Sequence, residues 1–549
     1  MSRPTRYTQE MMDEYLSKGY WEQTTWPEVW DRNARDYPGR EAIVDSRTRL
    51  TWAQAKKLID RLALGLLRLG FKRDDLLALQ LPNSVEVALL RIACEKAGIL
   101  CLPALTALRQ RELEYILRHV EAAGIVIPRE FRNFNHFEMI SEMRPRLPQL
   151  RHVFVTGDEV PEGAISIKAL LAQPLEDEYP PDYLRERGFP ATEISWISHT
   201  SGSTGFPKFV EIATAARMNM CKAFAEDWHL TGKDIVAALS PHTGGPNVIA
   251  YWSAALVGAK LVMMENFEAE EALKLIEREK VTAFGFVPTQ LLKMMNHPNF
   301  SQYDLTSARL WICAAGAPPY DLCRRVEEEI GGRVVQIFGA VDWGAGVFSR
   351  YATSREERLL TTGKPIPGHE IKLVDEAGNE VGPGEVGEVM LRGPAACAGY
   401  YKNPEATWQV WTKDGWYKTG DLGRIDRQGN LMLAGRRKDM IKRGGENVYP
   451  VEIETILETH PKVHSVAVVK MPDPLMGEKA CAYVVPRAGQ DFTFAEMVSF
   501  LRGKEMATFK LPERLEIVEA LPLTAGVQKV DKKTLEKEIA EKLKAEGKI

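Results

Sequence analysis

The sequence lacks both an excess of charge of one sign and any paired arrangement of cysteines. Its 549 residues include 71 lysines and arginines against 75 aspartates and glutamates, a formal net charge of -4. This balance creates no field that favours nucleic acid or an anionic membrane surface, so we expect no nucleic-acid partner. The 7 cysteines form neither C-x-x-C pairs nor histidine-spaced ligand patterns. They are typical of small buried side chains in a reducing compartment.

Long apolar runs are also missing. The N-terminal segment MSRPTRYTQEMMDEYLSKGYW is interrupted by acidic residues and has no apolar stretch of the signal-peptide kind. The most apolar run, residues 248–264, contains Gly258 and Lys260 and is shorter than the roughly 20 residues that a bilayer span needs. We interpret it as a buried helix that turns at Gly258 into a strand over residues 261–264. We therefore predict a cytoplasmic protein without a membrane span.

Helix and strand patterns alternate along most of the chain, as layered α/β cores require. Thr51 and Gln54 match a capping box at the start of an amphipathic helix, and Gly70 is placed to end it. The next predicted elements are a strand over residues 76–81, a helix over residues 84–97 that ends at Gly98, and a strand over residues 99–102. Such units build mostly parallel sheets with right-handed crossovers.

The length of the chain exceeds one hydrophobic core, because domains usually contain roughly 100 to 200 residues. Short strands punctuated by glycine and proline between residues 363 and 399 predict a small antiparallel sheet or barrel. We predict a mixed α/β fold whose large N-terminal domain, residues 1–436, has layered parallel-rich sheets and a small barrel-like part at residues 350–436. A small mobile α+β domain follows at residues 437–549, with a helix capped by Thr493 and Glu496.

The segment HTSGSTGFPK, from His199 to Lys208, is rich in glycine and hydroxyl side chains and carries one lysine. Such a loop can direct backbone amides, hydroxyls and a cation toward a polyphosphate. It is not a Walker A element, because the spacing is G-x-x-G-x-x-K. A solvated turn between two strands is the alternative interpretation, and it leaves Lys208 without a role.

Further motifs follow this loop in a fixed order. They are CAAGAPP at residues 313–319, QIFGAVDWG at 336–344, YKTGDLG at 417–423, GRRKDMIKRGGENVYPVEIE at 435–454 and PLTAGVQKVDKK at 522–533. Together they resemble the superfamily of acyl-CoA synthetases, adenylation enzymes and luciferases over essentially the whole chain. The segments YLSKGYW, DPLMGEKACAYVV and FKLPERLE are similar to the aryl-acid branch, typified by the 2,3-dihydroxybenzoate-AMP ligases.

The resemblance implies an ATP site with an assigned role for each motif. The loop residues implied to hold the β- and γ-phosphates are Ser201, Gly202, Ser203, Thr204, Gly205 and Lys208. The residues implied to line the adenine and the rest of the nucleotide are Gly316, Ala317, Pro318, Phe338 and Gly339. Asp421 is implied to accept hydrogen bonds from the ribose hydroxyls, and Arg436 to reach phosphate or ribose. Without the motifs, Asp421 is equally typical of a turn and Arg436 of a solvated loop.

The same resemblance assigns the catalytic groups. Lys529 is implied to bridge the substrate carboxylate and the α-phosphate, although Lys532 and Lys533 lie close enough to confuse the register. Asp342 is implied to help hold Mg²⁺, standing where the family more often has glutamate. Three positions depart from the family pattern, namely Val341 for threonine, Gln528 for glycine and Thr214 for histidine.

The acceptor and the acid are implied less directly. Lys438 matches the hinge of the family, about which the small domain turns between the two half-reactions. Gly444 and Gly445 are implied to line a pantetheine tunnel, because glycine permits close approach. The form GGEN in this loop favours coenzyme A over a phosphopantetheine carrier protein as the thiol acceptor.

The acid pocket is implied to lie at SPHTGGPNV, residues 240–248. Its members are His242, Thr243 and Gly244, together with Gly316 and Gly339. Thr243 and Gly244 replace the asparagine and tyrosine of the catechol-specific enzymes, so a different aromatic, alicyclic or branched acid fits equally well. The alternative for His242 is a core histidine bonded to backbone.

The sequence thus predicts an ATP- and Mg²⁺-dependent acid-thiol ligase that makes an acyl-AMP and then an acyl-CoA. Two alternatives stay open, an adenylating enzyme that loads a carrier protein and a nucleotide-binding relative without turnover. Either a monomer or a homodimer is compatible with the sequence.

Overall fold

The computed structural model describes residues 3–200, 207–247, 249–316, 320–444, 446–523 and 530–549. The chain forms two compact units, of which the first contains residues 1–370 and 391–417 and the second contains residues 371–390 and 418–549. These units do not coincide with the predicted domains 1–436 and 437–549, and that predicted boundary stays a prediction.

Two large sheets form the centre of the first unit. One has nine strands in the order Lys364–Pro365, Gly344–Phe348, Arg333–Ala340, Leu310–Cys313, Ala283–Phe286, Ile235–Ala238, Lys260–Met263, Glu41–Val44 and Arg49–Thr51. The other has eight, in the order Gly399–Tyr400, Phe209–Ala213, Ile194–His199, Leu100–Pro103, Leu76–Leu79, Gly124–Pro128, His152–Thr156 and Ile165–Ser166. The pairs from Arg333–Ala340 to Glu41–Val44 in the first sheet and from Ile194–His199 to Ile165–Ser166 in the second are parallel. The predicted layered, parallel-rich α/β architecture is confirmed.

Helices cover these sheets and bury apolar faces against them. In the first unit they are Gln9–Ser17, Trp26–Asp36, Trp52–Arg68, Val85–Ala97, Gln110–His119, His136–Met143, Ile167–Ala172, Thr214–Asp227, Ala254–Val257, Ala269–Glu279, Pro288–Met295, Tyr320–Arg325, Arg355–Leu360 and Pro404–Val410. Two buried clusters result, one around Leu102, Ile125 and Ile197 and the other around Val262, Phe284 and Trp311.

Local signals place several of these elements where the sequence predicts them. Thr51 and Gln54 form the capping box of the helix Trp52–Arg68, and Gly70 follows it with a φ of 87°. The residues after Asn247 form a π-helical turn, Ile249–Ser253, before the short helix Ala254–Val257. The predicted single helix is therefore irregular at its start, and it ends as predicted at Gly258, whose φ is 71°.

The second unit contains two smaller sheets. A four-stranded sheet has the order Glu370–Val374, Gly387–Arg392, Tyr417–Ile425 and Leu431–Arg436. A five-stranded sheet contains Glu446–Val448, Ile441–Arg443, Gly477–Pro486 and Val463–Asp473, with Arg514–Ile517 paired to Gly477–Pro486. The helices are Pro450–Leu457, Phe494–Gly503 and Lys532–Ala545, so the predicted α+β pattern is confirmed. The four-stranded sheet lies where a small sheet is predicted, and its closure into a barrel stays a prediction.

Candidate active site

The glycine-rich loop connects two antiparallel strands, Ile194–His199 and Phe209–Ala213. Its ends are tied together, because Thr200 N donates to Lys208 O at 2.9 Å and Lys208 N donates to Thr200 Oγ1 at 3.1 Å. The predicted phosphate ligands Ser201, Gly202, Ser203, Thr204 and Gly205 lie outside the described residues and stay predictions. Thr200 and Lys208 therefore lie at the base of the loop, where the two strands meet it, and we call this position the hairpin mouth.

Lys208 and Asp342 both contact one tyrosine, Tyr400. The strand that follows Lys208 pairs with Gly399–Tyr400 in the register Val210 to Tyr400. Lys208 Nζ lies 4.7 Å from the centroid of the Tyr400 ring, within reach of a cation–π interaction. The Tyr400 hydroxyl donates to Asp342 Oδ2 at 2.5 Å. The structure thus brings together a predicted phosphate ligand and the predicted metal ligand through a residue that the sequence analysis did not single out.

The hydrogen bond fixes the direction of the Asp342 carboxylate. Asp342 is 8% exposed, and burial together with its negative charge raises the pKa of Tyr400. A carboxylate has several lone pairs, so one phenol leaves acceptor capacity for a hard cation. Mg²⁺ is commonly held by one or two carboxylates plus substrate phosphates. The described residues contain no group of three or more metal-ligating side chains, and a single buried carboxylate that shares Tyr400 with the lysine of the glycine-rich loop fits this mode of binding.

The N-terminal segment holds the chain that leads into Tyr400. Thr5 donates through its backbone N at 2.9 Å and its hydroxyl at 2.7 Å to the carboxylate of Glu211. Arg6 N donates to Ala398 O at 2.9 Å, and the Tyr7 hydroxyl donates to Ala396 O at 2.5 Å. Burial raises the pKa of Glu211 to about 7. These bonds anchor residues 396–399 and, with them, the position of the Tyr400 phenol.

His242 is buried and asymmetrically bonded. Its Nε2 lies 2.9 Å from Leu81 O, which can only accept, so Nε2 carries the proton. Its Nδ1 is buried and has no partner among the described residues. Burial, followed by the charge of Arg91, lowers the pKa of His242 to about 3, so the ring is neutral and Nδ1 is an acceptor. His242 is bonded to backbone, as the alternative interpretation expects, and still presents one nitrogen to a donor.

The remaining described pocket residues lie at the ends of neighbouring strands. Gly316 follows the strand Leu310–Cys313, and a Cβ there would lie 3.3 Å from Pro288 Cγ. A Cβ on Gly339 would lie 2.7 Å from Gly344 O, so the backbone requires glycine. Phe338 packs on Trp343 with 5.1 Å between ring centroids. Ala317 and Pro318 lie outside the described residues.

Ala315 has a φ of 68° beside the predicted adenine strip. A left-handed conformation is uncommon for a residue with a side chain and is found frequently at functional sites. The sequence gives no signal for it, because alanine has no preference for such a φ. Thr243 and Gly244, in the predicted acid pocket, form a turn closed by a hydrogen bond from Gly244 N to Pro241 O at 2.8 Å.

In the second unit, Asp421 and Arg436 are register partners on adjacent antiparallel strands. Arg436 Nε lies 3.3 Å from Asp421 Oδ1, and Thr419 Oγ1 accepts from Asp421 N at 3.0 Å. The side chains of Arg436 and Asp421 are 48% and 20% exposed, so this ion pair contributes little to stability. The carboxylate and guanidinium remain accessible for other partners.

The predicted hinge and tunnel residues lie close together along the chain. Lys438 belongs to a short 3₁₀ turn, Arg437–Asp439, and its carbonyl accepts from Lys470 Nζ at 3.1 Å. Gly444 has a φ of 55°, and a Cβ there would lie 2.4 Å from Met476 Cε. Gly445 lies outside the described residues.

The predicted adenylating lysine, Lys529, also lies outside the described residues and stays a prediction. Lys532 and Lys533 are the two neighbouring lysines that could be mistaken for Lys529 in the motif. Lys532 Nζ lies 2.6 Å from Glu454 Oε1. Lys533 also interacts with another group of the protein. Lys532 is therefore engaged at the start of the helix Lys532–Ala545.

The chain matches two known protein-family models. The family model described as AMP-binding enzyme matches residues 30–401, and the AMP-binding enzyme C-terminal domain matches residues 452–526. The chain belongs to the AMP-binding enzyme family. The resemblance stated from the motifs is confirmed, and the chain is an adenylate-forming ligase that uses ATP.

Relatives of this AMP-binding enzyme cover nearly its whole length. It is 32% identical over 547 residues to the 2,3-dihydroxybenzoate-AMP ligase of Bacillus subtilis (strain 168), covering 98% of each chain. It is 32% identical over 531 residues to the 2-hydroxy-7-methoxy-5-methyl-1-naphthoate–CoA ligase of Streptomyces carzinostaticus, covering 95% of this chain and 94% of the relative. In structure it resembles the anthranilate CoA ligase AuaEII in complex with anthranoyl-AMP, with a TM-score of 0.83, 26% identity and coverage of 95% and 98%. Among its described residues, no helix is both long and apolar enough to cross a bilayer.

Proposed function

We propose that this enzyme activates an aryl or other ring-bearing or branched carboxylic acid as its acyl-AMP and then transfers the acyl group to coenzyme A. The observation that carries the proposal is the arrangement of Lys208, Tyr400 and Asp342, which places a cation and a fixed carboxylate at the mouth of the glycine-rich hairpin. Adenylation requires such groups, because two anions must be brought together before they react.

In the first half-reaction, a carboxylate oxygen of the acid bonds to the α-phosphorus of ATP. The bond from that phosphorus to the bridging oxygen breaks, and pyrophosphate leaves with the electron pair. We expect the ammonium of Lys208 to neutralise charge on the departing phosphates and Lys529 to hold the attacking carboxylate against the α-phosphate.

Asp342, oriented by Tyr400, is the residue that would hold Mg²⁺, which when bound neutralises phosphate charge. Asp421 and Arg436 would hold the ribose and a phosphate oxygen. Each of these roles is proposed for the residues as they stand in this chain.

In the second half-reaction, the thiol sulfur bonds to the acyl carbon, the bond from that carbon to the AMP oxygen breaks, and the thiol proton passes to solvent. We assign coenzyme A as the acceptor because the loop that contains Gly444 reads GGEN, the form that resembles CoA-forming ligases. The naphthoate–CoA ligase relative supports this choice. A phosphopantetheine carrier protein is the alternative acceptor.

For the acid, the neutral His242 supports a substrate that bears a hydrogen-bond donor. Its unpartnered Nδ1 can accept from a hydroxyl or amino group on the acid. The names of the dihydroxybenzoate and anthranilate enzymes describe acids that carry such groups. The cytoplasmic location and the oligomeric state stay predictions.

The decisive experiment is acid-dependent exchange of labelled pyrophosphate into ATP, screened over benzoates, cyclohexane carboxylates and short branched acids. We expect exchange with at least one ring acid, and its loss in Lys208→Ala. The matched control is Lys222→Ala, on the helix that follows, whose lysine pairs with Glu22 outside the hairpin mouth. Exchange with none of the acids would refute the proposal and favour a nucleotide-binding protein without turnover. A product assay with coenzyme A and a phosphopantetheinylated carrier protein then identifies the acceptor.

A further inference from the structure

Several buried polar atoms without partners surround the π-helical turn Ile249–Ser253 of the first unit. They are Arg91 Nη1, Arg217 Nε, His242 Nδ1, Asn247 Oδ1 and Ser253 Oγ, none of which has a hydrogen-bond partner among the described residues. Buried polar groups in folded proteins are normally satisfied, so a concentration of exceptions in one place indicates a site for a ligand.

Arg91 is the most unusual member of this group. It lies on the helix Val85–Ala97 and is only 5% exposed. Its guanidinium carbon lies 4.1 Å from the ring of Trp196, 4.0 Å from that of Trp252 and 4.8 Å from that of Tyr251. No described carboxylate forms an ion pair with Arg91. The aromatic rings hold the guanidinium in place, and its Nη1 has no hydrogen-bond partner among the described residues.

The charge of Glu95, one turn along the same helix, acts on Arg91, but the two side chains form no described ion pair. Glu95 accepts from the Thr214 hydroxyl at 2.8 Å, and burial raises its pKa to about 7. A carboxyl with that pKa is only partly ionised near neutral pH. A second arginine, Arg217, contributes a further buried donor from the helix Thr214–Asp227. Its charge acts against that of Arg91, and burial lowers the pKa of both guanidinium groups.

Arg91 adjoins the predicted acid pocket through Tyr251. The Tyr251 ring lies 4.8 Å from the Arg91 guanidinium carbon and 6.4 Å, between centroids, from the ring of His242. The Tyr251 hydroxyl is itself engaged by Asn83 Oδ1 at 3.0 Å. The Arg91 guanidinium and the His242 ring therefore both lie beside Tyr251.

We infer that Arg91 and Arg217 form a recognition site for a second carboxylate on the acid substrate, so that the enzyme activates a dicarboxylic acid whose other carboxylate stays ionised. This inference rests on the proposed function and names its substrate class. A guanidinium binds a carboxylate through paired charge-assisted hydrogen bonds. The Arg91 guanidinium, which is buried without an ion pair, and the buried Arg217 Nε are costly in a folded core, and a bound anion lowers that cost.

The test compares diacids with their own half esters. Pyrophosphate exchange and direct calorimetric binding are measured with phthalate, isophthalate, terephthalate and aliphatic diacids, each against its monomethyl ester. We expect the wild-type enzyme to prefer one diacid over its half ester by about tenfold to a hundredfold, as hydrogen bonds to charged groups predict. In Arg91→Met and Arg217→Met we expect this preference to fall by at least about tenfold. Arg91→Lys, which keeps the charge and loses the paired donors, should retain part of it.

Arg358→Gln is the matched control, because Arg358 is 3% exposed in the same unit and is paired with Glu327 at 2.7 Å. We expect a lower melting temperature for this control with unchanged acid preference. For Arg91→Met we expect lost preference with a melting temperature no lower than that of the control.

Three results would overturn the inference while leaving the proposed function intact. One is exchange with monoacids that is indifferent to Arg91. Another is a wild-type enzyme that binds diacids and half esters equally. The third is an Arg91→Met variant with reduced stability but the wild-type preference, which would assign Arg91 a structural role. Failure of the proposed function gives a different result, namely no exchange with any acid.

Discussion

Substituting Tyr400 by phenylalanine isolates one hydrogen bond at the candidate active site. The change removes the donor that lies 2.5 Å from Asp342 Oδ2 and retains the ring beside Lys208. Asp342 is 8% exposed, so the lost bond is to a largely desolvated carboxylate. Hydrogen bonds to charged groups are worth about 1.5–3 kcal/mol, and the variant should lose about that much free energy of unfolding.

The functional consequence of Tyr400→Phe should appear in the dependence on Mg²⁺. If Tyr400 orients a metal-binding carboxylate, the Mg²⁺ concentration for half-maximal pyrophosphate exchange should rise by about tenfold to a hundredfold, the usual effect of removing a group that orients a ligand. Exchange measured over a Mg²⁺ titration, with ATP saturating, provides the value. Urea unfolding of the same preparation separates this effect from lost stability.

Tyr303→Phe is the matched control for this prediction. The Tyr303 hydroxyl lies in the same unit and donates to a carboxylate oxygen, Glu270 Oε1, at 2.9 Å. Its loss removes the same kind of hydrogen bond and should leave the Mg²⁺ titration unchanged. An unchanged Mg²⁺ titration for Tyr400→Phe, or an equal shift in both variants, would refute the assignment of Tyr400 as a positioning residue.

Three further predictions test other parts of the site. Gly444→Ala should lower the free energy of unfolding by about 1–2 kcal/mol because of its φ of 55°, and it should slow thioester formation more than adenylation. The control is Gly429→Ala, which is also at positive φ but has open space around its Cβ and should affect only stability. Equal slowing of both half-reactions by Gly444→Ala would contradict this. His242 has a pKa of about 3 in the folded protein against 6.5 unfolded, so below pH 6.5 the unfolded chain takes up a proton that the folded protein does not. The wild type should therefore lose stability relative to His242→Gln by about 1.4 kcal/mol per pH unit as the pH falls from 6 toward 4, and parallel urea-unfolding curves would disprove it. Lys529→Ala should suppress adenylate formation far more than thioester synthesis from preformed acyl-AMP, and equal loss in both assays would mean that the lysine has another role.

The local parts of the fold could be predicted from the sequence because their signals are local. The capping box at Thr51 and the left-handed glycines Gly70 and Gly98 depend on neighbouring residues alone. Other features depend on which distant segments pair. Tyr400 reaches Asp342 only because its strand pairs with the strand after the glycine-rich loop. No periodicity or motif spacing encodes that juxtaposition.

The same limit applies to the substrate pocket. His242 could be predicted from a motif, but its free Nδ1 follows from the carbonyl of Leu81, which lies 161 residues away in sequence. Arg91 falls within a helix whose residues are nearly all buried, and it carries no sequence signal of its own. Its unusual character arises from Trp196 and Trp252, which the fold brings to it from other elements.

Lys470 Nζ donates a hydrogen bond to the carbonyl of Lys438. This bond limits the backbone dihedral angles that can change without breaking it. The carbonyl oxygen of a residue moves with the chain that follows, whether rotation occurs about its φ or its ψ. Rotation at Lys438 therefore moves its carbonyl together with the strand Val463–Asp473 and keeps the bond to Lys470. Rotation at Asp439 moves the strand relative to that carbonyl and breaks the bond. Lys438 is therefore the last residue before this strand at which the backbone can rotate without breaking the bond, as its predicted role as a hinge requires.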